Sequence, residues 1–176
     1  TDTLKGLHGN DQIYGGDGSD IIEGGDGNDT IYGGADHDTI TGGKGVDTIY
    51  GGAGNDTFID FGDSIIYGGE GNDIFSQDRE EGEPEYFHGE ATYGLSVYGE
   101  EGNDSFNYLE NVKLIDAGTG DDKVAILGNG SKSPISIKGG KGYDKLTINA
   151  GYPYWSIISG FEEISADGTA VIPDHI

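Results

Sequence analysis

The sequence predicts an all-β fold, a parallel solenoid in which short turn-plus-strand units coil and stack. Three observations predict it. A nine-residue unit, Gly-Gly-x-Gly-x-Asp-x-(large apolar)-x, repeats almost without a break over residues 6–59. Position six of the unit is Asp every time (Asp11, Asp20, Asp29, Asp38, Asp47, Asp56), and position eight is large and apolar (Ile13, Ile22, Ile31, Ile40, Ile49, Phe58). Glycine fills 35 of 176 positions without the three-residue period of collagen, so it marks turns and not a triple helix.

The unit explains itself position by position. Glycines at one, two and four supply positive φ and close backbone approach, so the first six residues form a turn. The last three, such as Thr30-Ile31-Tyr32, are β-prone and alternate so that only position eight points inward. Two units make one coil of eighteen residues, and every second turn then lies above its predecessor, about 4.8 Å away. One edge carries Asp11, Asp29 and Asp47; the other carries Asp20, Asp38 and Asp56. At the start, Asp2-Thr3-Leu4-Lys5 fits positions six to nine of a preceding unit, with Asp2 at the acidic position and Leu4 in the core. The chain therefore begins inside a repeat and is expected to be a segment of a larger parent polypeptide.

Carboxylates stacked at that spacing repel one another, and a cation between them is required for folding. Carboxylate and carbonyl oxygens, with no Cys and no row of His, form a hard-oxygen set that selects Ca²⁺ over zinc or copper. Mg²⁺ suits it less, because it demands tight octahedral geometry and keeps its waters. The alternative is that these residues are turn-capping aspartates. With these motifs the chain resembles the calcium-binding repeat region of RTX (repeats-in-toxin) proteins, closely over residues 1–76 and partially over 94–147. The resemblance implies a parallel β-roll with several Ca²⁺ ions between stacked turns. It also implies a secreted or cell-surface bacterial parent (toxin, adhesin, protease, lipase or surface-layer protein) exported by type I secretion.

Four segments follow. Residues 1–76 are the regular β-roll, with a seventh unit at 68–76 placing Asp73 under Asp56; the opposite edge is expected to end near Asp60 or Asp63. Residues 77–93, charged and containing Pro84, read as an inserted loop. Residues 94–147 read as an irregular roll with calcium turns mainly on one edge, through Asp104, Asp122 and Asp144. The step to the unit at 139–147 is four residues too long, so Asp144 is the least firmly placed of the three. Residues 148–176 hold Tyr152, Tyr154, Trp155, Ile157, Ile158, Phe161 and Ile164, an apolar cluster suited to capping the last coil or to forming its final strands. The candidate metal ligands are thus Asp2, Asp11, Asp20, Asp29, Asp38, Asp47, Asp56, Asp73, Asp104, Asp122 and Asp144.

Inside good units, Asp36 takes a position-four glycine site, where Asp tolerates the left-handed conformation, and Leu7 takes a position-two site. Sites using Leu7 or the truncated turn of Asp2 are expected to be weaker. Acidic residues number 33 against 9 basic, a formal charge of −24 that repels nucleic acid and anionic membranes and attracts divalent cations. No apolar stretch approaches a membrane span, and zero Cys excludes disulfides and thiol chemistry. No EF-hand loop or phosphate-binding loop occurs, and the four histidines are scattered, His8 and His37 in outward-pointing turn positions. No catalytic constellation can be argued, so an enzyme is not expected. The leading reading is a structural module that folds on binding Ca²⁺ outside the cell. The alternative is a Ca²⁺-dependent glycan or host-surface module using Tyr86, Tyr93, Tyr98, Tyr108, Tyr152, Tyr154 and Trp155.

Overall fold

The computed structural model describes residues 1–76, 94–109, 112–127, 136–149 and 157–167. Every regular element among them is a β-strand. In chain order they are β1 (Thr3–His8), β2 (Gln12–Asp17), β3 (Ile21–Asp26), β4 (Thr30–Ala35), β5 (Thr39–Lys44) and β6 (Thr48–Ala53). Next come β7 (Thr57–Phe61), β8 (Ile65–Glu70), β9 (Ile74–Ser76), β10 (Leu95–Glu101), β11 (Ser105–Leu109) and β12 (Val112–Thr119). The last are β13 (Lys123–Leu127), β14 (Ser136–Lys141), β15 (Lys145–Asn149), β16 (Ile157–Ser159) and β17 (Glu163–Asp167).

Odd-numbered strands form one nine-stranded sheet and even-numbered strands a second of eight, each strand paired in parallel with the next but one. This is the parallel β-roll that the nine-residue period predicts. In β2 to β6 and in β8 the strand starts with the apolar-alternating tripeptide and runs on into the next unit's two glycines. The turns therefore line up along two edges. Turns leading from an even to an odd strand form a long rim that persists through the described coils; turns from odd to even form a short rim. The register is continuous across residues 77–93, since β10 pairs with both β8 and β12, and β11 with both β9 and β13.

Position-eight residues of both sheets meet in the middle. Ile31, Ile40, Ile49, Phe58, Ile66, Phe75, Val97, Phe106, Ile115 and Ile137 are wholly buried. Each contributes about 1.5–3 kcal/mol of burial energy. Phe58, Phe75 and Phe106 stack as an internal column with ring centroids 4.8 and 4.7 Å apart. On the outer face of the eight-stranded sheet, position nine gives a second column, Tyr14–Tyr32–Tyr50–Tyr67–Tyr98, with centroids 4.9–5.0 Å apart.

At the far end β16 and β17 add one more coil, with Phe161 sunk into the core and Ile158 and Ile164 packed against it. Tyr152, Tyr154 and Trp155 of the expected cap lie outside the described residues.

Candidate metal centre

Stacking fixes the acids atom by atom. On the long rim the main-chain N–H of each position-six Asp donates to Oδ1 of the Asp one coil further on. The bonds are Asp20 to Asp38, Asp38 to Asp56, Asp56 to Asp73, Asp73 to Asp104 and Asp104 to Asp122, all 2.8 Å, then Asp122 to Asp144 at 3.0 Å. Asp2 joins the same column by donating to Asp20 Oδ1 at 2.6 Å. The short rim repeats the pattern from Asp11 to Asp29 at 2.9 Å and from Asp29 to Asp47 at 2.8 Å.

These bonds satisfy one carboxylate oxygen and leave the other bare. Oδ2 of Asp11, Asp20, Asp29, Asp38, Asp56, Asp73, Asp104, Asp122 and Asp144 is buried with no hydrogen-bond partner among the described residues. Every acid from Asp20 to Asp144 in the long rim is at most 2% exposed. A single buried polar atom left unpaired costs about 1–3 kcal/mol, more if charged. Nine of them, seven along the long rim and two along the short, are not sustained by packing alone.

Burial holds several of the rim acids toward the protonated state. It pushes Asp56 and Asp104 up to about 6, Asp122 to about 7 and Asp73 to about 8, and it also raises Asp38, Asp47 and Asp144. The neighbouring N–H donors pull the other way, and adjacent carboxylates such as Asp104 beside Asp73 add to the rise.

The position-one glycines shape the space these oxygens face. A Cβ on Gly24 would lie 2.5 Å from both Asp29 Oδ2 and the carbonyl oxygen of Gly42 in the next coil. The same convergence recurs at Gly33, with Asp38 Oδ2 at 2.5 Å and the Gly51 carbonyl at 2.6 Å. Among the described residues no three His, Cys, Asp or Glu side chains meet. The donors brought together are carboxylates of consecutive coils with glycine carbonyls, an oxygen-only set fitted to Ca²⁺. Asp36, at a position-four site, adopts φ 76°, as expected for an Asp that tolerates the left-handed region; Leu7 and Glu100 do likewise at φ 80° and 76°.

Three features depart from the sequence reading. The acidic run of the short rim ends at Ser64, not at Asp60 or Asp63: the Asp47 N–H donates to Ser64 Oγ at 3.2 Å, and that hydroxyl lies 3.5 Å from Asp47 Oδ2. The register then carries the column on through Leu95 and Val112, both buried. His37 is part of the turn scaffold, its Nδ1 accepting the Asn55 N–H at 2.7 Å alongside a row of similarly placed Asn side chains. Glu162, unnoticed in the sequence, accepts the Asp144 N–H at 2.7 Å where the column would place its next Asp. Its signal was the eighteen-residue step from Asp144. Asp144 itself stands in line, because the four extra residues of its coil belong to the short-rim connection between β13 and β14.

A family model described as the RTX calcium-binding nonapeptide repeat (4 copies) matches residues 1–31, 23–58 and 60–76. Comparison with curated proteins and with solved structures gives no match. Repeats of this kind bind calcium and form structural modules in secreted bacterial proteins. Within residues 1–76 the chain thus carries RTX calcium-binding nonapeptide repeats.

Proposed function

We propose that this calcium-binding module is a folding switch of a secreted or cell-surface protein, unfolded where free Ca²⁺ is scarce and rolled up where it is plentiful. The observation that carries the reading is the nine buried Oδ2 atoms, seven on the long rim and two on the short, that have no partner among the described residues. The ions are held by Asp2, Asp11, Asp20, Asp29, Asp38, Asp47, Asp56, Asp73, Asp104, Asp122 and Asp144, each acting with the carbonyls of its own and the adjoining turn. A bound Ca²⁺ would supply two positive charges beside these carboxylates and let them stay ionised while buried.

Magnitudes support a switch. Extracellular calcium modules bind at about 10⁻⁴–10⁻³ M. A site at ten times its dissociation constant adds about 1.4 kcal/mol, so five sites add roughly 7 kcal/mol, the scale of a whole domain's stability. The chain carries a formal charge of −24 with 33% hydrophobic residues, a composition that stays open until neutralised. The family resemblance supports a larger parent polypeptide and a type I export route. Holding ions between repeated, equivalent turns is a structural task, and no reaction is assigned to the rims.

The glycan-binding reading gains less support. Tyr98 stacks on Tyr67, and the rings of Tyr32, Tyr50 and Tyr67 each have a neighbour on both faces. A sugar stacks on ring faces, and the faces inside this row are covered by neighbouring rings. Tyr86, Tyr93, Tyr152, Tyr154 and Trp155 lie outside the described residues.

The test is circular dichroism at pH 7 during a Ca²⁺ titration, with Mg²⁺ and chelator in parallel. The expected result is a cooperative gain of β-signal with Ca²⁺ and little with Mg²⁺. Equal β-signal in chelator would overturn the proposal.

A further inference from the structure

We infer that Glu162 is a metal ligand in its own right, closing the long rim with a terminal divalent-cation site formed with Asp144 and the Gly160 carbonyl. The inference rests on the calcium reading above and extends it to a residue outside the nine-residue consensus.

Three observations place the site. First, the coil of β16 and β17 repeats the geometry of the coils before it. The Asp144 N–H donates to a Glu162 carboxylate oxygen at 2.7 Å, as each earlier position-six Asp of the long rim donates to its successor. The Asp144 carbonyl accepts N–H groups of Glu162 and Glu163 at 3.1 and 3.2 Å, as Asp122 accepts Lys145 at 2.9 Å. Second, Asp144 is fully buried, and its Oδ2 has no partner. A Cβ on Gly139 would meet that oxygen at 2.8 Å and would collide with the Gly160 carbonyl, the convergence seen at Gly33. Third, Gly160 turns at φ +74°, which aims its carbonyl back over Gly139.

Glutamate suits the end of a column better than its middle. Interior acids are clamped by coils on both sides, and a short Asp holds the coil spacing. Glu162 is exposed, and its second oxygen is not committed to a further described coil. The extra methylene lets that oxygen bend toward an ion resting on Asp144.

A capping residue that only satisfies the Asp144 N–H would look similar, so the variants separate the two roles. Glu162→Gln keeps an oxygen acceptor and removes the charge; Glu162→Asp keeps the charge. Native mass spectrometry counts bound Ca²⁺ in the full chain at matched free calcium, with β-signal checked in the same buffer. The expected result is one ion fewer in Glu162→Gln than in the unaltered chain, with the count retained in Glu162→Asp. An equal count in Glu162→Gln overturns this inference alone, because the unaltered chain is then loaded and the rims still bind. An unaltered chain that takes up no calcium overturns the broader reading as well.

Discussion

Along the long rim each turn from Asp20 to Asp144 buries a carboxylate, whereas the short rim does so at Asp29 and Asp47, with Asp11 half-buried, and then passes through Ser64 to Leu95 and Val112. The glycines change with the acids. Gly24 stands two residues after core Ile22; the corresponding places in β13 and β15 are Ile126 and Ile148, both buried. So a coil can be closed at its edge in two ways: an oxygen-lined turn that calls for a cation, or apolar side chains that call for none. The difference also governs tolerance to length. Steps along the long rim include separations of 31 and 22 residues, and the surplus falls in the short-rim connections after β9 and β13. A rim whose every turn must offer Oδ1 to the coil before it cannot absorb extra residues. An apolar rim can.

The hardest blow to this contrast would be to return an acid to the apolar stretch. Leu95→Asp buries a carboxylate between Ser64 and Val112 with no acid beside it, and it should destabilise by about 3–5 kcal/mol even in saturating Ca²⁺. Urea midpoints measure this; a loss below about 1 kcal/mol would mean that the short rim accepts ions there after all.

A second test sets proton against metal. In chelator, the long-rim acids have folded-state values raised to about 6–8 at Asp56, Asp73, Asp104 and Asp122, against 3.8 for the free side chain. The folded chain then holds protons that the unfolded chain has released. Its stability should rise as pH falls from about 8 toward 4, by up to about 1.4 kcal/mol per unit for each carboxylate. With Ca²⁺ present the sign inverts, because protons compete for the same oxygens. Dichroism melts at pH 8, 6 and 5, with and without chelator, read both signs; parallel trends would contradict the assignment.

The smallest expected effect sharpens the boundary itself. Ser64→Asp should lengthen the acidic run of the short rim by one step, adding one ion and about 1 kcal/mol in calcium. Calcium counting and a urea curve settle it, and an unchanged count would mean that the missing carboxylate at Ser64 is not what ends the run.

The legible part of the fold was the part carried by a repeated residue type at a fixed position. Asp at six and a large apolar side chain at eight predicted strand direction, core column and both acidic columns through Asp56. Asp144 was legible in its own unit, although spacing alone argued against it, because length can vary on one side of a coil without moving the other. Ser64 and Glu162 escaped notice for opposite reasons. Ser64 keeps the place and loses the chemistry, while Glu162 keeps the chemistry without the glycine signature. The succession of Leu95 and Val112 to an acidic column is a matter of register, and register becomes visible only when strands are paired.

The phenol column from Tyr14 to Tyr98 has an optical consequence. Five chromophores held parallel at 4.9–5.0 Å couple electronically only while five successive even-numbered strands remain in register. The protein thus carries an intrinsic near-ultraviolet gauge of coil alignment, spanning the junction between its regular and irregular halves and needing no added label.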